Sequence, residues 1–155
     1  MKRRNTQRGM TLVELIVAFT ILMILSGMAV PLARAKVRME RERELRYCLR
    51  EMQDAIDKYK DYCDAGYFGP PKMGTNCYPE TLEILVEGQK LNSADGKKVK
   101  FLRKIPTDPF TGTAEWGLRS DQDDSKSMTW GGQDVFSVYS KTSQMDAAGT
   151  SYSEY

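Results

Sequence analysis

Histidine is absent from the 155 residues of this chain. That removes the side chain most often used as a neutral-pH general base and as a metal ligand. Imidazole-based catalytic triads are excluded. A serine nucleophile would need a lysine held beside it as base, and no pattern marks such a pair, so an enzyme is not expected. Cysteine is scarce, with only Cys48, Cys63 and Cys77, and their spacing matches no C-x-x-C metal or redox motif. Neither sign of charge dominates: 23 Lys and Arg against 21 Asp and Glu leave a net charge of +2, and no nucleic-acid partner is expected from that balance. No internal repeat is visible. The length and a hydrophobic content of 41% suit one modest domain with an appended segment, not two full cores.

The appended segment is at the N-terminus. Lys2, Arg3, Arg4 and Arg8 come first with no acid among them, then Met10-Thr11-Leu12-Val13-Glu14, and the chain stays uncharged from Leu15 to Ala33. As a helix, Met10 to Ala33 rises about 36 Å, enough to cross a hydrocarbon core about 30 Å thick. A Lys/Arg-rich flank stays cytoplasmic, so the remainder is expected across the membrane. Glu14 is then the one charge at bilayer depth. Such a charge costs roughly 2.5–3.5 kcal/mol on insertion scales and calls for a partner. A cleaved secretory signal is the competing reading, since Ala33-Arg34-Ala35 has the A-x-A form. Against it, the apolar run exceeds a normal signal core and Arg34 sits inside the supposed cleavage site.

Beyond Pro31 the pattern turns amphipathic. Leu45, Leu49, Met52, Ile56, Tyr59 and Cys63 recur at alternating intervals of four and three, the stripe of a helix with one buried face. One long helix from Met10 to Cys63 is expected, with Gly27 and Pro31 as its kink. Gly66, Gly69, Pro70, Pro71 and Gly74 end it. A short helix is expected after Pro79, stopped by Gly88, followed by a connector through Val99-Lys100-Phe101-Leu102 to Phe110. Glu115–Arg119 and Asp134–Tyr139 are the strand candidates. The fold class expected is α+β, a small antiparallel sheet packed on the C-terminal half of the long helix.

Three clusters are candidates for chemistry or contact. If the head lies outside the cytoplasm, oxidation is permitted, and Cys63 can meet Cys77 across the glycine-proline loop. Cys48 lies about 22 Å back along the helix and is expected free; three reduced thiols are the alternative. Asp121, Asp123, Asp124 and Asp134 offer oxygen donors for calcium, without the glycine and terminal glutamate of an EF-hand. A solvated acidic loop is the competing reading. Lys97, Lys98, Lys100, Arg103 and Lys104 form one basic patch, either solvated or facing an anionic surface such as a neighbouring acidic loop. Trp116 and Trp130 are expected in the core or in head-to-head contacts.

Gly9-Met10-Thr11-Leu12-Val13-Glu14-Leu15 resembles the class III signal of type IV pilins and type II secretion pseudopilins. The resemblance implies that a prepilin peptidase cuts after Gly9 and methylates the new amino terminus at Met10. The family usually has Phe at that position. Residues 1–9 are then the leader, 10–33 the transmembrane helix, 34–63 its amphipathic continuation and 64–155 the head, in a pilin-like fold. Pro31 stands where family members commonly carry a proline. Cleavage places a cationic amine at Met10, one turn from Glu14. Within one subunit the two groups stand four residues apart and can pair with each other; the pairing expected here is of Glu14 with the Met10 amine of a neighbouring subunit, which offsets both burials and sets axial register.

Pro106-Thr107-Asp108-Pro109 and Asp134-Val135-Phe136-Ser137 resemble the corresponding turn and last strand of the major pseudopilin, general secretion pathway protein G type. That resemblance implies a structural subunit of a pseudopilus, single-pass in the inner membrane with its head in the periplasm. Its partners are other copies in a helical homopolymer, minor pseudopilins, the inner-membrane assembly platform, the prepilin peptidase and, before assembly, membrane lipid. Major pseudopilins bind calcium in a loop after that strand, where Lys141–Tyr155 offers only Asp146 and Glu154. Two alternatives within the family are a type IV pilin of an extracellular pilus and a DNA-uptake pseudopilin whose basic patch contacts phosphates. From another class, the rival is a membrane-anchored periplasmic binding module that never polymerises.

Overall fold

A computed structural model describes residues 11–93 and 96–155. The leader, and with it the expected cleavage at Gly9 and methylation at Met10, lies outside the described residues. Helix α1, Leu12–Asp64, is followed by α2, Leu82–Glu87, by strands β1 (Gln89–Lys90), β2 (Lys98–Val99), β3 (Gly117–Arg119) and β4 (Ser137–Tyr139), and by a short 3-10 helix, Tyr152–Glu154. The chain is α+β in a pilin-like layout: one long N-terminal helix, apolar at its start, and small antiparallel sheets. Two units divide it, one ending at Glu40 and the other being Arg41–Tyr155.

In the first unit α1 is assigned without a break through Gly27 and Pro31. Proline has no N–H to give the carbonyl four residues back, which belongs to Gly27, so the missing helix bond spans these two residues.

The second unit is built on the amphipathic part of α1. Leu45, Cys48, Leu49, Met52, Ala55 and Ile56 are buried in one cluster with Leu82 and Leu85 of α2, Leu102, Trp116, Val135, Val138 and Tyr152. The stripe read from the sequence is there, widened by Cys48 and Ala55, which adjoin it on the helix surface. Gly88 ends α2 at φ 85° with its N–H on the Ile84 carbonyl. A Cβ at that position would come within 2.7 Å of the Val99 carbonyl oxygen, so the turn into β1 requires glycine.

The sheet expected from the two strand candidates is present as β3–β4, and a second small sheet, β1–β2, accompanies it. β1 pairs antiparallel with β2, and β3 with β4 in the register Leu118 to Val138. The strands are shorter than Glu115–Arg119 and Asp134–Tyr139, and before β4 a tertiary contact claims a backbone donor. Trp116 is buried with its indole N–H on the Pro106 carbonyl, 2.9 Å away, and Val135 gives its N–H to Pro79 at 2.7 Å, not to a strand partner. Gly117 faces the Tyr139 ring with no room for a Cβ.

Candidate functional site

Sequence and backbone together place one carboxylate at the start of an exposed apolar helix. Thr11 precedes α1, its hydroxyl accepting the Glu14 N–H at 3.3 Å and its carbonyl the Leu15 N–H at 3.2 Å. This is N-cap geometry, which satisfies donors that a helix start otherwise leaves open. Glu14 sits in the first turn, where the positive end of the helix dipole favours an anion. Its side chain is exposed and takes no hydrogen bond or ion pair from any described residue. The Thr11 cap escaped the sequence reading, although the Thr-x-x-Glu spacing signals it.

The surface behind Glu14 is apolar and uncovered. Leu12 is 74% exposed, Phe19 61% and Leu32 74%. The one hydroxyl near the middle of the run, on Thr20, donates to the Ile16 carbonyl at 2.7 Å and so makes no demand on solvent. This stretch of α1 is long and apolar enough to cross a membrane, and none of it is buried. An uncovered apolar surface of that extent marks a membrane or protein contact.

In the head, Cys63 and Cys77 are joined, with their Cα atoms 5.5 Å apart, and Cys48 is free and buried. Burial, helped by the nearby charges of Glu44 and Glu51, pushes the Cys48 thiol above its ordinary pKa. Thiolate chemistry there is disfavoured. Asn76 and Cys77 both adopt left-handed backbone, at φ 45° and 67°. Lys60 Nζ donates to the Asn76 carbonyl at 3.2 Å, and Asn76 Nδ2 donates to Asp121 Oδ2 at 2.8 Å, so the bridged loop is tied to both α1 and the acidic loop.

The four calcium candidates are not gathered around a common point. Asp123 Oδ2 accepts from the Ser120 N–H and hydroxyl and the Gly131 N–H, and these backbone bonds hold its carboxyl below the ordinary range. Asp124 caps its own turn through Ser125 and Lys126. Asp134 is fully buried; its Oδ1 accepts the Asp121 N–H at 3.0 Å and its Oδ2 has no partner among the described residues. Among the described residues, no three Asp, Glu or Cys side chains are placed to share a metal ion. In the loop after β4, Asp146 accepts the Ala148 and Thr150 N–H groups and the Tyr155 hydroxyl.

The C-terminus closes the head in a way that no sequence motif announced. Tyr152 is fully buried, stacked on Phe110 at 4.4 Å between ring centroids, and its hydroxyl donates to Glu42 at 2.6 Å. Arg119 sends Nε to the Ser127 carbonyl and Nη2 to the Ser153 carbonyl, with its guanidinium 4.2 Å from the Tyr139 ring centroid. Trp116 lies in the core, while Trp130 is 37% exposed and donates to the Asp134 carbonyl.

Residues 4–30 match the family model described as the prokaryotic N-terminal methylation motif. The match spans Arg4, Arg8, Gly9, Met10, Thr11, Glu14 and most of the apolar run. No curated protein and no solved structure matches the chain.

Proposed function

We propose that this chain is the precursor of a non-enzymatic filament subunit, a pseudopilin of a type II secretion-like system. A prepilin peptidase removes residues 1–9, and the methylated Met10 becomes the first residue of the mature subunit. Before assembly the apolar part of α1 holds the subunit in the inner membrane with the head on the periplasmic side, consistent with the Lys/Arg flank. In the filament the apolar helices pack on one another, and Glu14 of one copy meets the Met10 amine of the next. The growing fibre then pushes cargo towards an outer-membrane pore.

One coincidence supports the reading: the methylation motif matched at residues 4–30 overlaps an uncovered apolar stretch of α1 in which the one acid, Glu14, has no partner among the described residues. A discarded signal peptide has no use for an acid in that place. The test is mass spectrometry of the protein recovered from a host that carries a prepilin peptidase. The expected N-terminal peptide begins at N-methylated Met10. Assembled fibres that begin at Met1, or a product that begins at Lys36, would overturn the reading.

A further inference from the structure

The far end of the apolar run is abrupt. From Leu15 to Ala33 every residue is uncharged, and Arg34, Lys36 and Arg38 follow at once. No acid stands between Glu14 and Glu40, so all the charge in that interval is positive. α1 continues through the boundary without a break, and position in the chain converts to distance along the helix axis. With the hydrocarbon edge at Ala33, the three cations lie about 1.5 to 8 Å beyond it. A headgroup layer is about 5–8 Å deep on each side, since a core of about 30 Å sits in a bilayer of about 40–45 Å. The three fall inside that layer.

Their arrangement around the helix narrows the choice of partner. Arg34 and Arg38 are four residues apart and share a face, while Lys36, two residues from each, stands on the opposite side. All three side chains are exposed. A packing helix meets one stripe of residues and would neutralise one side of such a set. A plane of anions surrounding the helix meets every side at one depth. The apolar side chains among and beside the cations, Leu32, Val37 and Met39, are exposed as well. Basic side chains that carry charge outward on long apolar stems, interleaved with uncovered apolar residues, suit the boundary between hydrocarbon and headgroups.

Charge complementarity at that depth selects anionic phospholipid. We infer that Arg34, Lys36 and Arg38 form a ring that holds the phosphates of anionic phospholipids in the leaflet on the head side of the membrane. A Lys/Arg cluster there runs against the bias that keeps such residues in the cytoplasm, and attraction to lipid phosphates offsets it. The inference rests on the membrane-anchored stage of the filament reading and names the lipid class which that reading leaves open. Removal of residues 1–9 takes away Lys2, Arg3, Arg4 and Arg8, so the ring then holds the side-chain cations nearest the apolar run. The mature subunit is anchored from the head side, and a subunit entering the fibre gives up these lipid contacts.

The test reconstitutes the full-length chain in phosphatidylcholine bilayers and compares spin-labelled phosphatidylglycerol with spin-labelled phosphatidylcholine by electron spin resonance, which reports the lipid held at the protein surface. The leader cations are first replaced (Lys2→Gln, Arg3→Gln, Arg4→Gln, Arg8→Gln) so that they contribute nothing. This chain is expected to hold phosphatidylglycerol at least about fivefold more strongly, the effect of one cation near the lipid surface. Adding Arg34→Gln, Lys36→Gln and Arg38→Gln is expected to bring the ratio to about one, with helicity and the Cys63–Cys77 bridge unchanged. Independently, a bimane on Lys36→Cys is expected to be quenched by a spin label on the lipid headgroup and not by one deep in the acyl chain. Equal retention of the two lipids, a preference that survives the added substitutions, or quenching only by the deep label would overturn the lipid contact and leave the filament reading in place. Inorganic phosphate that abolishes the preference where chloride of equal ionic strength does not would identify free phosphate as the ligand and overturn it too. Release of the unaltered chain from host membranes by alkaline carbonate would overturn both readings.

Discussion

Two of the described carboxylates, Glu14 and Asp134, lead to opposite expectations. Glu14 is exposed on the apolar part of α1, and in the proposed filament its charge meets a cation of another copy. Glu14→Ala is expected to leave leader removal intact and to lower filament yield about tenfold or more, the effect of losing roughly 1.4 kcal/mol per subunit contact. Immunoblots of precursor and mature forms beside sheared filaments check both parts. Asp134 is buried instead, and burial pushes its carboxyl above the ordinary pKa; the Asp121 N–H works against that rise, while the charges of Asp121 and Asp123 add to it. The folded state therefore holds the proton to higher pH than the unfolded chain, so stability falls as pH rises from about 3.9, the ordinary value, through the raised folded value. Asp134→Asn is expected to remove that slope, its Tm gaining on the unaltered protein between pH 4 and pH 7 in thermal melts of detergent-solubilised protein. The placing of Glu14 was legible because a charge inside an apolar run is a local feature of sequence. The isolation of Asp134 Oδ2 was not, because it depends on how the Asp121 and Pro79 segments meet around it.

Among the elements, the bridged loop is held by the Cys63–Cys77 bond and by hydrogen bonds to α1 and the acidic loop. Gly66, Gly69, Pro70, Pro71 and Gly74 read as a loop from sequence alone, since proline and glycine are unsuited to helix and strand interiors. The left-handed backbone of Asn76 and Cys77 did not, because neither residue type dictates it; the bridge to Cys63 and the bonds from Lys60 and to Asp121 maintain it. Cys63→Ser with Cys77→Ser is expected to cost roughly 2–4 kcal/mol, measured by urea unfolding, and reductant should change the unaltered protein but not the variant. The strands teach a related lesson. Alternation marked both members of the β3–β4 pair, but each begins two or three residues later than the pattern suggested; before β4, Val135 gives its backbone N–H to Pro79 instead of a strand partner. The β1–β2 hairpin has no counterpart in the sequence pattern, because Gln89-Lys90 and Lys98-Val99 are too short and too polar to show a strand period.

At the scale of the whole molecule, the two units differ in what they need from their surroundings. Arg41–Tyr155 has its own core, bridge and C-terminal closure, whereas the first unit leaves its apolar side chains uncovered. A fragment of residues 41–155 is therefore expected to be soluble without detergent, helical by circular dichroism and to retain the Cys63–Cys77 bridge, while the full chain requires detergent or assembly; size-exclusion chromatography of both checks this. The sequence alone determined the membrane-length run, its single acid, the leader motif and the buried stripe of α1, because hydropathy, charge and helical period act between residues close in the chain. Only the tertiary structure decided that Tyr152 enters the core beside Phe110, that the acids from Asp121 to Asp134 are spread over separate donors, and that a lysine pair faces itself across β1 and β2. Each of those depends on segments distant in sequence meeting in space, where the partner of a polar group is set by what packs beside it and not by its neighbours along the chain.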